Sequence, residues 1–157
     1  MPDLASVVDS TLASYYEEVR QKVHQLVDPL STEQLWTRPY PYGNSIGHLL
    51  LHVTGNLNHY IGAQIAMTGY VRNRPLEFAD ASKRPKEQVL ADFDRTIDMA
   101  AATIRKQSAA DLALPYSDPT EPITQNRFAC FMRMAAHAYH HVGQIIYLAK
   151  ELTKSES

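Results

Sequence analysis

Four stretches of this chain repeat their apolar residues every three to four positions, and none alternates apolar with polar residues as a half-buried strand would. The first runs from about Leu4 to Val27, with Val7, Leu12, Tyr15, Tyr16, Val19, Val23 and Leu26 at helical spacing. The second begins after Asn44 or Ser45, both good caps, and reaches about Met67 through Ile46, Leu49, Leu50, Val53, Leu57, Tyr60 and Ile61. The third opens at Pro85, a residue suited to the first helical position, and carries Val89, Leu90, Phe93, Ile97, Ala101 and Ile104. Thr124 is placed to cap the fourth, which extends to about Leu152. Four amphipathic helices in one domain spanning residues 1–157 predict an all-α four-helix bundle.

Between these stretches, 31-STEQLW-36 reads as a short turn of helix with Ser31 and Gln34 in a capping box, and 37-TRPYPYGN-44 as a loop. Segments 68–84 and 108–123 are long for bundle connections, so they leave room for crossovers. The formal charge of -2 supplies no basic field for nucleic acid. No apolar run approaches the ~20 residues needed to span a bilayer. Residues 1–30 lack the continuous apolar segment of a signal peptide, and Cys130 is the only cysteine. Together these favour a cytoplasmic protein without disulfides.

Histidine is where the chain departs from an ordinary bundle. Of seven histidines, three fall in 137-HAYHH-141 and three in 48-HLLLHVTGNLNH-59. On an ideal helix His141 lies about 40° from His137, with Gln144 about 20° to its other side, so all three flank the apolar face. His140 leans about 60° outward. The second helix offers His48, His52 and His59 along one edge, but His59 is roughly 10 Å from His52 along the axis, too far to share an ion at ~2 Å bond lengths. Spacing therefore predicts one or two ligands from the second helix without choosing among them. Several buried imidazoles would repel one another if protonated, and a divalent cation binds them neutral. A di-iron bundle needs Glu-x-x-His and a zincin H-E-x-x-H; neither is present.

The stretch 31-STEQLWTRPYPYGNSIGHLLLHVTGN-56, the helix order and the H-x-x-x-H followed by Gly143 and Gln144 resemble the DinB/YfiT-like superfamily. The resemblance implies a metal triad of His52, His137 and His141. It also implies an up-down-down-up bundle with the second and third helices parallel, a homodimer, and nickel or zinc. Related proteins include transferases and isomerases that use low-molecular-weight thiols such as bacillithiol or mycothiol. Val142 stands where the family often has a basic residue after the last ligand.

The expected chemistry follows from three neutral imidazoles, which leave coordination positions open. An open divalent ion lowers the pKa of a water or thiol and so suits thiol transfer to a small-molecule electrophile. Tyr60, Gln144 and His48 are candidates to orient a ligand or exchange a proton. The alternative is a non-catalytic binding or stress-response protein held together by its metal; a dimerisation scaffold with no metal is a third reading. Arg72, Arg74, Lys83, Arg84 and Lys86 hold five of the chain's 15 Lys and Arg and read as a solvated loop, or as a clamp for an anionic substrate. Cys130 has no identifiable base and reads as a small buried hydrophobe.

Overall fold

The structure is a computed structural model describing residues 3–154. Helix α1 spans Leu4–Val27 and is opened by Asp3, whose carboxylate accepts from the Ser6 amide. Its buried face is Leu12, Tyr16, Val19, Val23 and Val27. Val7 and Tyr15, which share the apolar spacing, are exposed instead, and Tyr15 packs edge-on against Tyr139. Short α2 (Thr32–Trp36) carries the expected Ser31–Gln34 capping box. It drives Leu35 and Trp36 into the core, where the Trp36 indole donates to the Arg84 carbonyl at 2.9 Å. Trp36 can lie there because Gly47 faces it: a Cβ on Gly47 would sit 2.6 Å from the indole ring.

Helix α3 (Ile46–Leu57) starts at Ser45 and passes into a π-helical turn over Asn58–Ala63, ending short of Met67. The Asn58 side-chain amide donates both to the Thr54 carbonyl and to Thr96 Oγ1. That amide competes for an acceptor the α-helical ladder would use, which gives a physical reason for the wider turn. Beyond it, Met67 and Gly69 take positive φ.

The two long connections each contain a short helix that lacks enough period to read from sequence. Helix α4 (Arg74–Ala79) is capped by Asn73, and α6 (Ala109–Ala113) by a Ser108–Asp111 capping box. Helix α5 spans Lys86–Arg105; Pro85 is its N-cap, one residue outside the first helical position, because its ψ of 138° is extended. Helix α7 runs Arg127–Thr153 and is capped by Asn126, not Thr124. Thr124 instead closes a turn by donating its amide to the Glu121 carbonyl.

α1 and α3 each pack against both α5 and α7. Contacts Arg20–Asp98 and His24–Asp94 run in opposite senses along α1 and α5. Asn58–Thr96 and Gly62–Met99 run in the same sense along α3 and α5. His52–His137 and Tyr60–Cys130 run in opposite senses along α3 and α7. The interior these helices enclose includes fully buried Tyr16, Phe93 and Phe131, with the Tyr16 hydroxyl donating to the Phe131 carbonyl at 2.7 Å. Among the described residues there are no strands, and no helix is long and apolar enough to cross a membrane.

Candidate metal centre

Helix α3 is buried almost all round, because α4 covers the side that α5 and α7 leave open. Along that covered side His48, His52 and Asn56 form a row one turn apart, and all three are buried. On α7, His137 and His141 are also one turn apart and face the same interior edge. The result is a triangle of imidazoles. His137 Nε2 lies 3.2 Å from His52 Nε2 and 3.2 Å from His141 Nε2, and all three nitrogens lie within 4.8 Å of one another.

The far nitrogens decide what the near ones carry. His52 Nδ1 donates to Glu77 Oε2 at 2.8 Å, and His141 Nδ1 donates to Gln144 Oε1 at 2.7 Å. A neutral imidazole that donates from Nδ1 presents a lone pair at Nε2. At least two lone pairs therefore converge beside the His137 Nε2, an arrangement favoured by a cation between them. Burial first, then the neighbouring imidazoles, push the His137 pKa down to about 3; burial and His52 bring that of His141 to about 4. Both are neutral at pH 7. Two nitrogens at ~2.1 Å from one ion, at angles between octahedral and tetrahedral, are roughly 3.0–3.4 Å apart. The two observed 3.2 Å separations fit, and with the third pair of nitrogens within 4.8 Å the three residues present could hold one divalent ion.

Behind His52 stands a buried ion pair. Arg72 grips Glu77 with both arms of its guanidinium, Nε to Oε1 at 2.7 Å and Nη2 to Oε2 at 2.9 Å. Burial would raise the Glu77 pKa, but the hydrogen bonds from His52 and Arg72 hold it below the usual carboxylate value. An ionised carboxylate on the far nitrogen fixes the imidazole ring and makes its lone pair more basic. Glu77 is the residue the sequence reading missed. It reaches the site from an aperiodic connection, and the one signal for it is a glycine inside α3: a Cβ at Gly55 would lie 2.2 Å from Glu77 Oε1. Gly55→Ala is therefore expected to displace the carboxylate and weaken divalent-ion affinity about 10–100-fold while leaving helix content intact. Competition with a chromophoric chelator measures this, and an unchanged affinity would show that Glu77 does not support the site.

The other candidates divide. Gln144 orients His141. The Tyr60 hydroxyl shares a 2.6 Å hydrogen bond with Thr120 Oγ1, and the Arg72 guanidinium lies 5.7 Å from the centre of its ring. His48 is turned to structural work: its Nδ1 meets Ser45 Oγ at 2.6 Å and its Nε2 meets the Asp80 carbonyl at 3.0 Å, tying the end of α4 to the start of α3. His59 pairs with Asp118 at 3.1 Å and anchors the π turn to the second long connection. His140 is exposed, its ring edge-on to that of His141. Cys130 is fully buried with its thiol pushed up to about 12 by burial, as suits a packing residue. Of the basic crossover, Arg72 belongs to the site through Glu77, whereas Arg84 pairs with Asp92 and Lys86 binds the Asp28 and Leu30 carbonyls.

A cavity of about 390 Å³ opens beside the triangle, lined by His52 and His137 together with Asn56, Tyr60, Arg72 and Thr120. Comparison with curated protein sequences finds no match. Among solved structures, a conserved protein from Enterococcus faecalis superposes with a TM-score of 0.74 at 15% identity, covering 91% of this chain and 95% of that one. That likeness shows a shared fold. A sequence profile of the DinB superfamily matches residues 15–145, which include the whole triangle and the α3, α4 and α5 segments around it. The chain belongs to the DinB superfamily.

Proposed function

We propose that this protein is a metal-dependent enzyme in which His52, His137 and His141 hold one divalent ion, nickel or zinc, and the thiol of a low-molecular-weight cofactor is transferred to an electrophile. The observation that carries the reading is the cavity opening on two of the three converging imidazoles. A site built only to hold helices together closes its coordination shell with protein ligands, whereas a catalytic one keeps a face open. When bound, the ion supplies a Lewis acid that favours the ionised form of a thiol at neutral pH. In the net reaction a sulfur–carbon bond forms, the electrophile's leaving group departs with the bonding electrons, and the thiol proton passes to solvent.

The chain's own residues supply orientation. Glu77 and Gln144 hold two imidazoles by their far nitrogens. Arg72 balances the Glu77 charge so that no uncompensated carboxylate lies beside the open face. The Tyr60–Thr120 hydroxyl pair stands on the cavity wall, where it can position a ligand or pass a proton. A second reading, an ion that only staples α3 to α7, is favoured by the way the Arg72–Glu77–His52 chain joins the α4 connection to the core.

Elemental analysis of the purified protein, followed by cobalt substitution and titration with small thiols, separates the two. Stoichiometric metal and thiol-dependent changes in the cobalt visible bands are expected. Stoichiometric cobalt with bands unmoved by any thiol at millimolar concentration would remove the enzymatic reading and leave the staple.

A further inference from the structure

A second cleft, of about 570 Å³, lies between the 37–44 loop and α7 and shares no residue with the cavity beside the imidazoles. Its walls include Tyr40 and Tyr42 from the loop, Leu49 from α3, and Gly143, Gln144 and Tyr147 from α7. None of its lining residues is Asp, Glu, Lys or Arg, whereas the cavity beside the imidazoles carries Arg72, Arg74 and Glu121. The loop tyrosines are held in place. Pro39 and Pro41 fix φ on either side of Tyr40, and the Tyr40 carbonyl accepts from the Gly43 amide at 3.2 Å. Tyr40 is half-buried against the core, and the Tyr42 ring lies parallel to it, 7° between planes and 5.6 Å between centres. Tyr42 is 86% exposed, so its face turned away from Tyr40 is open to a third ring. Gly143 is the second observation. Gly47 and Gly55 make room for Trp36 and Glu77, but a Cβ on Gly143 meets nothing within 4 Å. Inside a helix glycine is less favourable than alanine, and here no packing contact asks for it. The missing side chain leaves the α7 wall of the cleft open. Beside it, Gln144 is exposed and gives its Oε1 to His141, so its amide nitrogen is the free end.

We infer that this cleft is a separate binding site for an uncharged, planar aromatic molecule carrying a hydrogen-bond acceptor, with the ring stacked on Tyr42 and the acceptor taken by the Gln144 amide. A flat ring continues the parallel pair that Tyr40 and Tyr42 already form, and a saturated ring of the same size has no such face to offer. A charged ligand would leave water and meet no counter-charge on the walls. The volume and the few polar groups among apolar walls are those of a small-molecule site. The ligand does not touch the imidazole nitrogens that converge on one another; Gln144 stands between them and the cleft.

Three neutral probes test this on the full chain as purified, followed by the amide shifts of the ¹⁵N-labelled protein. Coumarin has the flat ring pair and a carbonyl, octahydrocoumarin keeps the carbonyl on a saturated frame, and 2H-chromene keeps the flat rings without the carbonyl. Coumarin is expected to move the amides of Gly43, Gly143, Gln144 and Tyr147 with a Kd of order 0.1–1 mM, and each analogue to bind roughly 5–10-fold more weakly. Gly143→Leu fills the cleft and adds helix propensity, so it should abolish coumarin binding while keeping or raising the melting temperature. Tyr42→Ala, on an exposed loop, should weaken coumarin about tenfold and serves if the leucine is not tolerated. Absence of shifts at these amides up to about 10 mM coumarin, or full affinity in the variants, overturns the site. Equal binding of octahydrocoumarin overturns the aromatic class, and equal binding of 2H-chromene overturns the role of Gln144. Sedimentation of wild type as a dimer that Tyr42→Ala dissociates, with no coumarin binding, would show that a second copy of the chain covers the cleft, and the inference falls. None of these readouts is at the imidazoles, so failure here leaves the thiol-transfer reading standing.

Discussion

His137→Ala is expected to weaken divalent-ion binding by about 10²–10³-fold, since each of three or four ligands carries a few kcal/mol of an apparent binding energy of order 10–16 kcal/mol. His137 is the residue to remove because its Nε2 is the corner of the triangle, 3.2 Å from each of its partners. Its Nδ1 makes no hydrogen bond, so on that side its loss strands no buried partner. The metal-free variant should therefore unfold near the wild-type midpoint even though its affinity for the ion collapses. Isothermal titration with zinc and thermal unfolding in chelator measure the two halves of this expectation. Full retention of ion affinity would mean the triangle is not the binding site.

Stripping the ion from the wild type is expected to lower the melting temperature by roughly 8–16 °C, taking free metal at ~1,000 times Kd, worth about 4 kcal/mol, and 2–4 °C per kcal/mol for a chain of this size. Metal-free protein should then become sensitive to acid in a definite direction. His137 and His141 titrate near 3 and 4 in the fold but near 6.5 when unfolded. Between those values the unfolded chain takes up protons that the folded chain refuses. Their contribution is thus unpenalised above about pH 6.5 and lost as the pH falls toward 4, on the order of 2 kcal/mol per imidazole between pH 7 and pH 5. His24 works the other way. Burial would lower its pKa, but Asp94 and Asp28 raise it, so it stabilises at low pH and that help fades as the pH rises through its folded value. Urea unfolding of metal-free wild type and of His137→Ala/His141→Ala at the two pH values separates them. The double variant should lose clearly less stability at pH 5, and equal losses would count against the buried neutral triad.

What could be read from the sequence was what repeats. Four apolar periods mark the four long helices, and the same 100° step that marks them turns His137, His141 and Gln144 to one side and His140 away. Choosing His52 over His48 and His59 needed the family resemblance, because three histidines on one edge look alike until their partners are known. The structure supplies those partners: Ser45 and Asp80 for His48, Asp118 for His59, and for His52 a glutamate. Glu77 sits in a six-residue helix, too short to show a period, inside a segment whose charges look like those of any solvated loop. The helix ends were equally hard to read. Pro85 and Thr124 carry side chains suited to starting a helix, yet Asn126 takes the cap of α7 because the bridge between Pro115 and Asn126 fixes where that helix can start.

The helix that contributes His52 ends in the π turn at Asn58–Ala63, where the angular step per residue differs from that of the α-helical part before it. A π turn holds roughly one residue more than an α turn, so trimming a single residue there would restore the α spacing. Such a deletion would rotate Tyr60 and His59 relative to everything before them while leaving His52, Asn56 and the packing of Glu77 on Gly55 where they stand. The wall of the cavity can thus be redrawn by one insertion or deletion without touching the imidazoles that converge on its floor. Relatives differing by one residue at this point are the place to look for the same triangle facing a different ligand.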